Sequence, residues 1–212
     1  MVYYFTSTCD DQEFTIYMGK DKFENELLIA HGWPEDLWFH ADNLSSAHVY
    51  IRTPSSTDFD SIPEQILNDC AQLTKENSIK GKKLKQIKVV YTPWSNLQKN
   101  GSMDVGQVGF HKERLRKYIL VQRDLAVLGR LKKTMREVVD VDFRQQRSDR
   151  DKAENDEQRF KKQETDKAIK IAIQERQLHD ELHSYGRVFD PEYMQMNTDI
   201  KMNVEDYEDS FM

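Results

Sequence analysis

From Asp140 to His183 the chain contains neither glycine nor proline, and charged side chains of both signs alternate along it. Apolar residues are sparse there until Ile169, Ile171, Ile173, Leu178 and Leu182. Such a stretch cannot enclose a core. It holds as a helix through i,i+4 ion pairs, for which Glu157–Lys161 and Asp166–Lys170 are candidates, or through a partner. The heptad pattern is poor, so an isolated charged helix and a coiled coil both stay open. Gly186 is expected to end the helix. A globular fold has to come from the residues before it.

Charge divides the chain in the same way. Residues 1–123 carry 15 basic and 16 acidic side chains, residues 124–183 carry 14 of each, and residues 184–212 carry 2 and 7. The net charge of −6 is therefore mostly a property of the tail and need not cover a binding face upstream. Three segments follow: a folded domain over 1–123, a charged helical or coiled-coil segment over 124–186, and an acidic, disordered tail over 187–212. Cys9 and Cys70 are the only cysteines and lack metal-ligand spacing, which fits a reducing compartment. The N-terminus lacks a signal-peptide pattern, and no run approaches the roughly 18–20 apolar residues of a membrane span. The expectation is a cytoplasmic protein.

Val2 to Thr6 and Glu13 to Met18 read as strands joined by a turn at Cys9–Gln12. Asp21 is placed to cap a helix through about Ala30, with Glu24 at the capping-box position and Phe23 and Leu27 on its buried face. Gly32 and Pro34 stop it. Two β-type runs follow, Asp36 to Asp42 and Ser45 to Arg52. Strand alternation puts Leu37, Phe39 and Ala41 with Ala47, Val49 and Ile51 on one kind of face. Trp38 and His40, with His48, Tyr50 and Arg52, fall on the other. A second helix runs from Pro63 to about Asn77, capped by Asp60 or Ser61, with Ile66, Leu67, Cys70, Ala71 and Leu73 as its apolar stripe. Ile87–Thr92 and Tyr118–Val121 read as strands. Leu97–Asp104 reads as a loop, and Val105–Phe110 as a short strand weakened by Gly106 and Gly109. Leu125, Leu128, Leu131 and Met135 give a short amphipathic helix. The irregular alternation favours α+β over a regular parallel α/β fold.

Gly19-Lys20-Asp21-Lys22 lies where a strand yields to a helix. Free amides at a helix start attract phosphate, and Lys20 and Lys22 add charge. The second glycine and Lys-Ser/Thr of a nucleotide-hydrolase phosphate loop are missing. Asn25 has low helix propensity where it stands, so either a side-chain contact or a local hydrogen bond keeps it there. His40 and His48 can meet a phosphate or base, or serve as structural histidines. Without a third ligand they do not make a metal site, and no cofactor is expected. Lys80, Lys82 and Lys83, with Lys85 and Lys88, form one basic group; Lys112, Arg114, Arg116 and Lys117 form another. Trp38, Tyr50, Tyr91 and Trp94 can stack on bases or fill a core. Ser45, Ser46 and Asp42 lie near the histidines without a nucleophile elbow, and no enzyme is expected.

Several runs carry a resemblance: Met1-Val2-Tyr3-Tyr4-Phe5-Thr6-Ser7, Tyr17-Met18-Gly19-Lys20-Asp21-Lys22, His31-Gly32-Trp33-Pro34-Glu35-Asp36 and Ser46-Ala47-His48-Val49. Val90-Tyr91-Thr92-Pro93-Trp94-Ser95-Asn96-Leu97 and Met103-Asp104-Val105-Gly106-Gln107-Val108-Gly109-Phe110-His111 extend it. Together they resemble the NFACT-R domain, the C-terminal nucleic-acid-binding part of ribosome quality-control NFACT proteins. The stand-alone form of that domain, the coiled-coil domain-containing protein 25 family, is similar from end to end. The resemblance implies a mixed sheet with two packed helices, followed by a long charged helix. It also implies binding to structured RNA such as tRNA or ribosomal RNA. The site residues expected are Lys20, Asp21, Lys22, Asn25, His40, Ser46 and His48, with Lys80, Lys82, Lys83 and Lys99 around them. The other NFACT domains are not in this chain, so the activity of the long proteins does not carry over. DNA binding, also at a membrane, and a protein partner on the charged helix are the alternatives.

Overall fold

The computed structural model describes residues 1–54 and 59–183. The expected helix stop at Gly186 and the acidic tail lie outside the described residues. Strands β1 (Val2–Cys9) and β2 (Gln12–Gly19) form the opening hairpin, with Asp10 and Asp11 at φ 50° and 60° in the turn. Helix α1 (Lys22–His31) follows, then β3 (Asp36–Ala41) and β4 (Val49–Arg52). Helix α2 (Glu64–Glu76) leads to β5 (Gln86–Pro93). A two-stranded ribbon pairs β6 (Leu97–Gln98) with β7 (Gly109–Phe110). Then come β8 (Lys117–Gln122), α3 (Leu125–Lys133), β9 (Arg136–Val138) and α4 (Phe143–His183).

Seven strands make one sheet in the order β8-β5-β3-β4-β2-β1-β9. Every ladder in it is antiparallel. The fold is α+β as expected, but its sheet is antiparallel rather than mixed. β1–β2 and β3–β4 pair as consecutive strands, whereas β2–β4, β3–β5 and β1–β9 are brought together over longer stretches of chain, each in antiparallel register.

The two-residue alternation in β3 and β4 is real, and both faces are buried. Phe5, Phe14, Ile16, Leu37, Phe39, Val49 and Ile51 pack under α2, with Ile66, Cys70, Ala71 and Leu73. Val2, Tyr17, Trp38, Tyr50 and Val90 form the second layer, with Leu28 of α1 and Phe143 at the start of α4. The aromatic residues considered for stacking are therefore largely core: Tyr50 is fully buried and Trp38 nearly so. Arg52 turns inward onto buried Asp36, with Nε 3.1 Å from Oδ1, and its guanidinium lies 3.4 Å from the Trp33 ring centroid.

Four expectations change. Phe23 and Leu27 face outward at 64% and 46% exposure, and α1 instead buries Asn25, Leu28 and Ile29. The Glu24 carboxylate does not complete a capping box but meets the terminal ammonium of Met1 at 2.5 Å. The N-cap position of α2 is Pro63, not Asp60 or Ser61, and it makes no side-chain cap hydrogen bond. Residues Val105–Gln107 are loop, and only Gly109–Phe110 is strand.

Packing also continues past position 123, where the sequence reading ended the folded part. Leu131 of α3 is fully buried in the first layer, and β9 pairs with β1. Arg130 donates both ways to Asp69, at 2.8 Å, and Ser7 Oγ donates to the same carboxylate at 2.5 Å. Asp69 is completely buried, so these contacts compensate its charge. The compact unit runs from Met1 to Asp151. Beyond it, residues 152–183 of α4 are exposed, with Glu154 alone half-buried. Glu157–Lys161 pairs at 2.5 Å as expected, whereas Lys167 pairs with Glu164 at i,i+3. Among the described residues no helix is long and apolar enough to cross a membrane.

Candidate nucleic-acid interface

The end of β2 and the start of α1 approach so closely that only glycine fits between them. A Cβ on Gly19 would lie 2.6 Å from Asn25 Oδ1 and 3.1 Å from Asn25 N. This contact sets Lys20 and Lys22, both exposed, at the rim of a pocket of about 520 Å³. Lys20, Asp21, Lys22 and Asn25 line one side of it. His40, Ser46 and His48 line the other, joined by Asn77, Ile79, Val105 and Gly106. Seven of the eleven residues nominated from sequence thus meet in one place, although 28 positions separate Lys20 from His48.

The helix start differs from expectation. Asp21 accepts hydrogen bonds from Phe23 N at 2.8 Å and Glu24 N at 3.0 Å. The bond from Glu24, with that from Phe23, holds its carboxyl below the usual range. The two amides a phosphate would seek are already satisfied within the chain. The attraction for an anion rests on the lysines.

The two histidines, left open between phosphate or base contact and a structural role, are held uncharged by their surroundings. His48 is 4% exposed, and its Nδ1 accepts from Trp38 Nε1 at 3.0 Å. Burial, aided by neighbouring His40, pushes its pKa down to about 3. Burial lowers His40 as well. Their rings meet edge to face with centroids 5.0 Å apart, and His40 stacks on Trp38 at 5.5 Å. At neutral pH they form an uncharged aromatic wall, not a pair of cations.

Ser46 closes the turn between β3 and β4. Its Oγ accepts from Ala41 N and donates to Ala47 O, both at 3.0 Å. Lys99 anchors a loop: its Nζ donates to Glu26 Oε1 at 2.7 Å, Asp104 O at 2.8 Å and Gln107 O at 2.9 Å. Those three bonds use all its donors. Glu26 also accepts from Gly106 N at 2.5 Å. Burial opposes the Glu26 charge, but the Gly106 amide and Lys99 outweigh it and hold the carboxyl below its usual range. Gly106, at φ 84°, occupies the left-handed region that favours glycine. The loop therefore folds over α1 and brings Val105 to the pocket.

Lys80, Lys82 and Lys83 do not line the pocket. They sit on a short turn just after Ile79, pinned from beneath by Lys75, which sequence reasoning did not single out. Lys75 Nζ donates to Gly81 O at 2.7 Å and Leu84 O at 2.6 Å. A smaller pocket of about 270 Å³ adjoins the first through His40, His48 and Gly106, and takes in Asn43, Phe110 and Arg116.

With this geometry, the comparisons decide the family. Residues 1–112 match the model of the NFACT protein RNA binding domain. Coiled-coil domain-containing protein 25 of Bos taurus is 46% identical over 94% of this chain and 96% of its own length. This chain belongs to the coiled-coil domain-containing protein 25 family. The relative from Danio rerio is 55% identical over 65% of this chain and 67% of its own length. Protein JLP2 of Saccharomyces cerevisiae is 44% identical over 63% of this chain and 67% of its own. Membership in a family defined by an RNA-binding domain supports a nucleic-acid-binding role for the compact unit.

Proposed function

We infer that the chain is a non-enzymatic RNA-binding protein that engages tRNA or ribosomal RNA in translation or ribosome quality control. The observation that carries this reading is the convergence of exposed Lys20 and Lys22 with Asn25, His40 and His48 around one pocket of the domain matched as RNA-binding. Lys80, Lys82 and Lys83 extend the basic surface beside it. Phosphate contacts of this kind fix position and supply affinity, not sequence choice. The histidines fit a binding role better than proton transfer: one is tied to an indole, and both are held neutral. Binding to tRNA, a ribosomal RNA fragment and duplex DNA, each followed through a salt titration, tests the reading. Tighter binding to either RNA than to duplex DNA supports it; preference for the duplex favours the DNA-binding alternative.

A protein-interaction role has one observation of its own. Ile169, Ile171, Ile173, Leu178 and Leu182 are each more than half exposed on α4. Such apolar exposure on a helix suits a partner.

A further inference from the structure

The pocket holds more than a phosphate needs. A site for backbone alone wants cations and amide donors, yet two of the amides are occupied by Asp21 and the histidine wall is neutral. Two aliphatic side chains, Ile79 and Val105, line the pocket while remaining 71% and 48% exposed. Apolar surface of this kind gains from being covered by a flat ring. At the base of α1, Asn25 is only 7% exposed, and its Oδ1 has no hydrogen-bond partner. A buried acceptor left without a donor is costly, and in a lining residue it marks a group that a ligand completes. The amide can turn about χ2 and offer either its acceptor or its donors.

We propose that the pocket receives one unstacked nucleobase from an unpaired RNA segment. The base covers Ile79 and Val105, Asn25 bonds its polar edge, and Lys20 and Lys22 hold the neighbouring phosphates. This rests on the RNA-binding reading and names the part of the RNA that the site takes. Every base carries donor or acceptor groups on its edge, so the site selects unpaired over paired nucleotides more than one base over another. Asn25 and Ile79 are specificity residues in this scheme; the lysines supply salt-dependent affinity.

The test uses the full chain and a short single-stranded RNA, with the matching duplex and the free mononucleotide as further arms. Binding is read by fluorescence anisotropy while the base is removed at one position at a time. One position is expected to be sensitive, with affinity falling about fivefold or more when its base is absent. Asn25→Leu should weaken strand binding about two- to tenfold without lowering the melting temperature, because leucine removes the unsatisfied amide. Ile79→Ser, at an exposed position, should weaken the strand and leave the salt slope unchanged. The duplex should bind less tightly than the strand, and the mononucleotide should compete weakly, since it lacks the second phosphate contact. Strand binding that is indifferent to base removal at every position and unchanged in both variants would overturn the proposal while leaving RNA binding intact. Failure of every nucleic acid to bind would overturn the underlying reading as well.

Discussion

Trp38 Nε1 donates its hydrogen to His48 Nδ1 at 3.0 Å within the buried second layer of the sheet. Because Nδ1 is the acceptor, the neutral ring carries its proton on Nε2. Protonating Nδ1 would break this bond and bury a charge beside His40.

A pH dependence of stability follows. The unfolded chain takes up the His48 proton near the ordinary value of 6.5, the folded chain only near about 3. Stability present above pH 6.5 is lost as pH falls toward 3, by up to about 1.4 kcal/mol per unit. His40, also lowered by burial, acts in the same direction. Urea unfolding at about pH 7 and about pH 5 should differ by roughly 2 kcal/mol from His48. His48→Gln should remove most of that difference. Equal pH dependence in the variant would show that His48 does not carry it.

Ending the chain at Arg123 should destabilise the domain. It removes the fully buried Leu131, the β9 pairing with β1, and Arg130, which balances the buried Asp69. Loss of the arginine alone should cost about 3 kcal/mol, since an unpaired carboxylate stays buried. Thermal unfolding of residues 1–123 against 1–151 checks this. The longer chain should melt cooperatively, and the shorter should melt far lower or not cooperatively at all.

Lys20→Ala with Lys22→Ala should weaken RNA binding and flatten its salt dependence, each lysine contributing about one unit or less of slope. Both side chains are exposed, so the melting temperature should not move. An unchanged slope would mean that these lysines do not meet phosphates.

The period of two in β3 and β4 was legible because each strand has a pure apolar side. What lay opposite was harder to see. Trp38, His40, His48 and Tyr50 look like a half-polar surface, but α1 and the start of α4 cover part of that layer. The buried face of α1 misled for a related reason. Asn25, Leu28 and Ile29 share the i,i+3,i+4 spacing, but a polar first member hides the stripe that Phe23 and Leu27 seem to offer.

Contacts distant in sequence were the least legible. Gly106 is a weak strand residue when read locally, while its amide meets Glu26 across 80 positions. The same contact explains why Val105 reaches the pocket and why Lys99 is a loop anchor. Gly32 gives a clearer lesson. A Cβ there would lie 2.2 Å from Trp94 Nε1, and that indole donates to Ile29 O at 3.1 Å. The His31-Gly32-Trp33-Pro34 and Thr92-Pro93-Trp94-Ser95 runs meet because the tryptophan closes the C-terminal end of α1.

The most direct test of the central claim is photochemical crosslinking of the full chain to a bound single-stranded RNA, with the attached residues located by mass spectrometry. Crosslinks should fall on the peptides holding Lys20–Asn25, Ser46–His48, Ile79 and Val105, and should disappear at high salt. Crosslinks confined to residues 152–183 of α4, with none at the pocket, would contradict it.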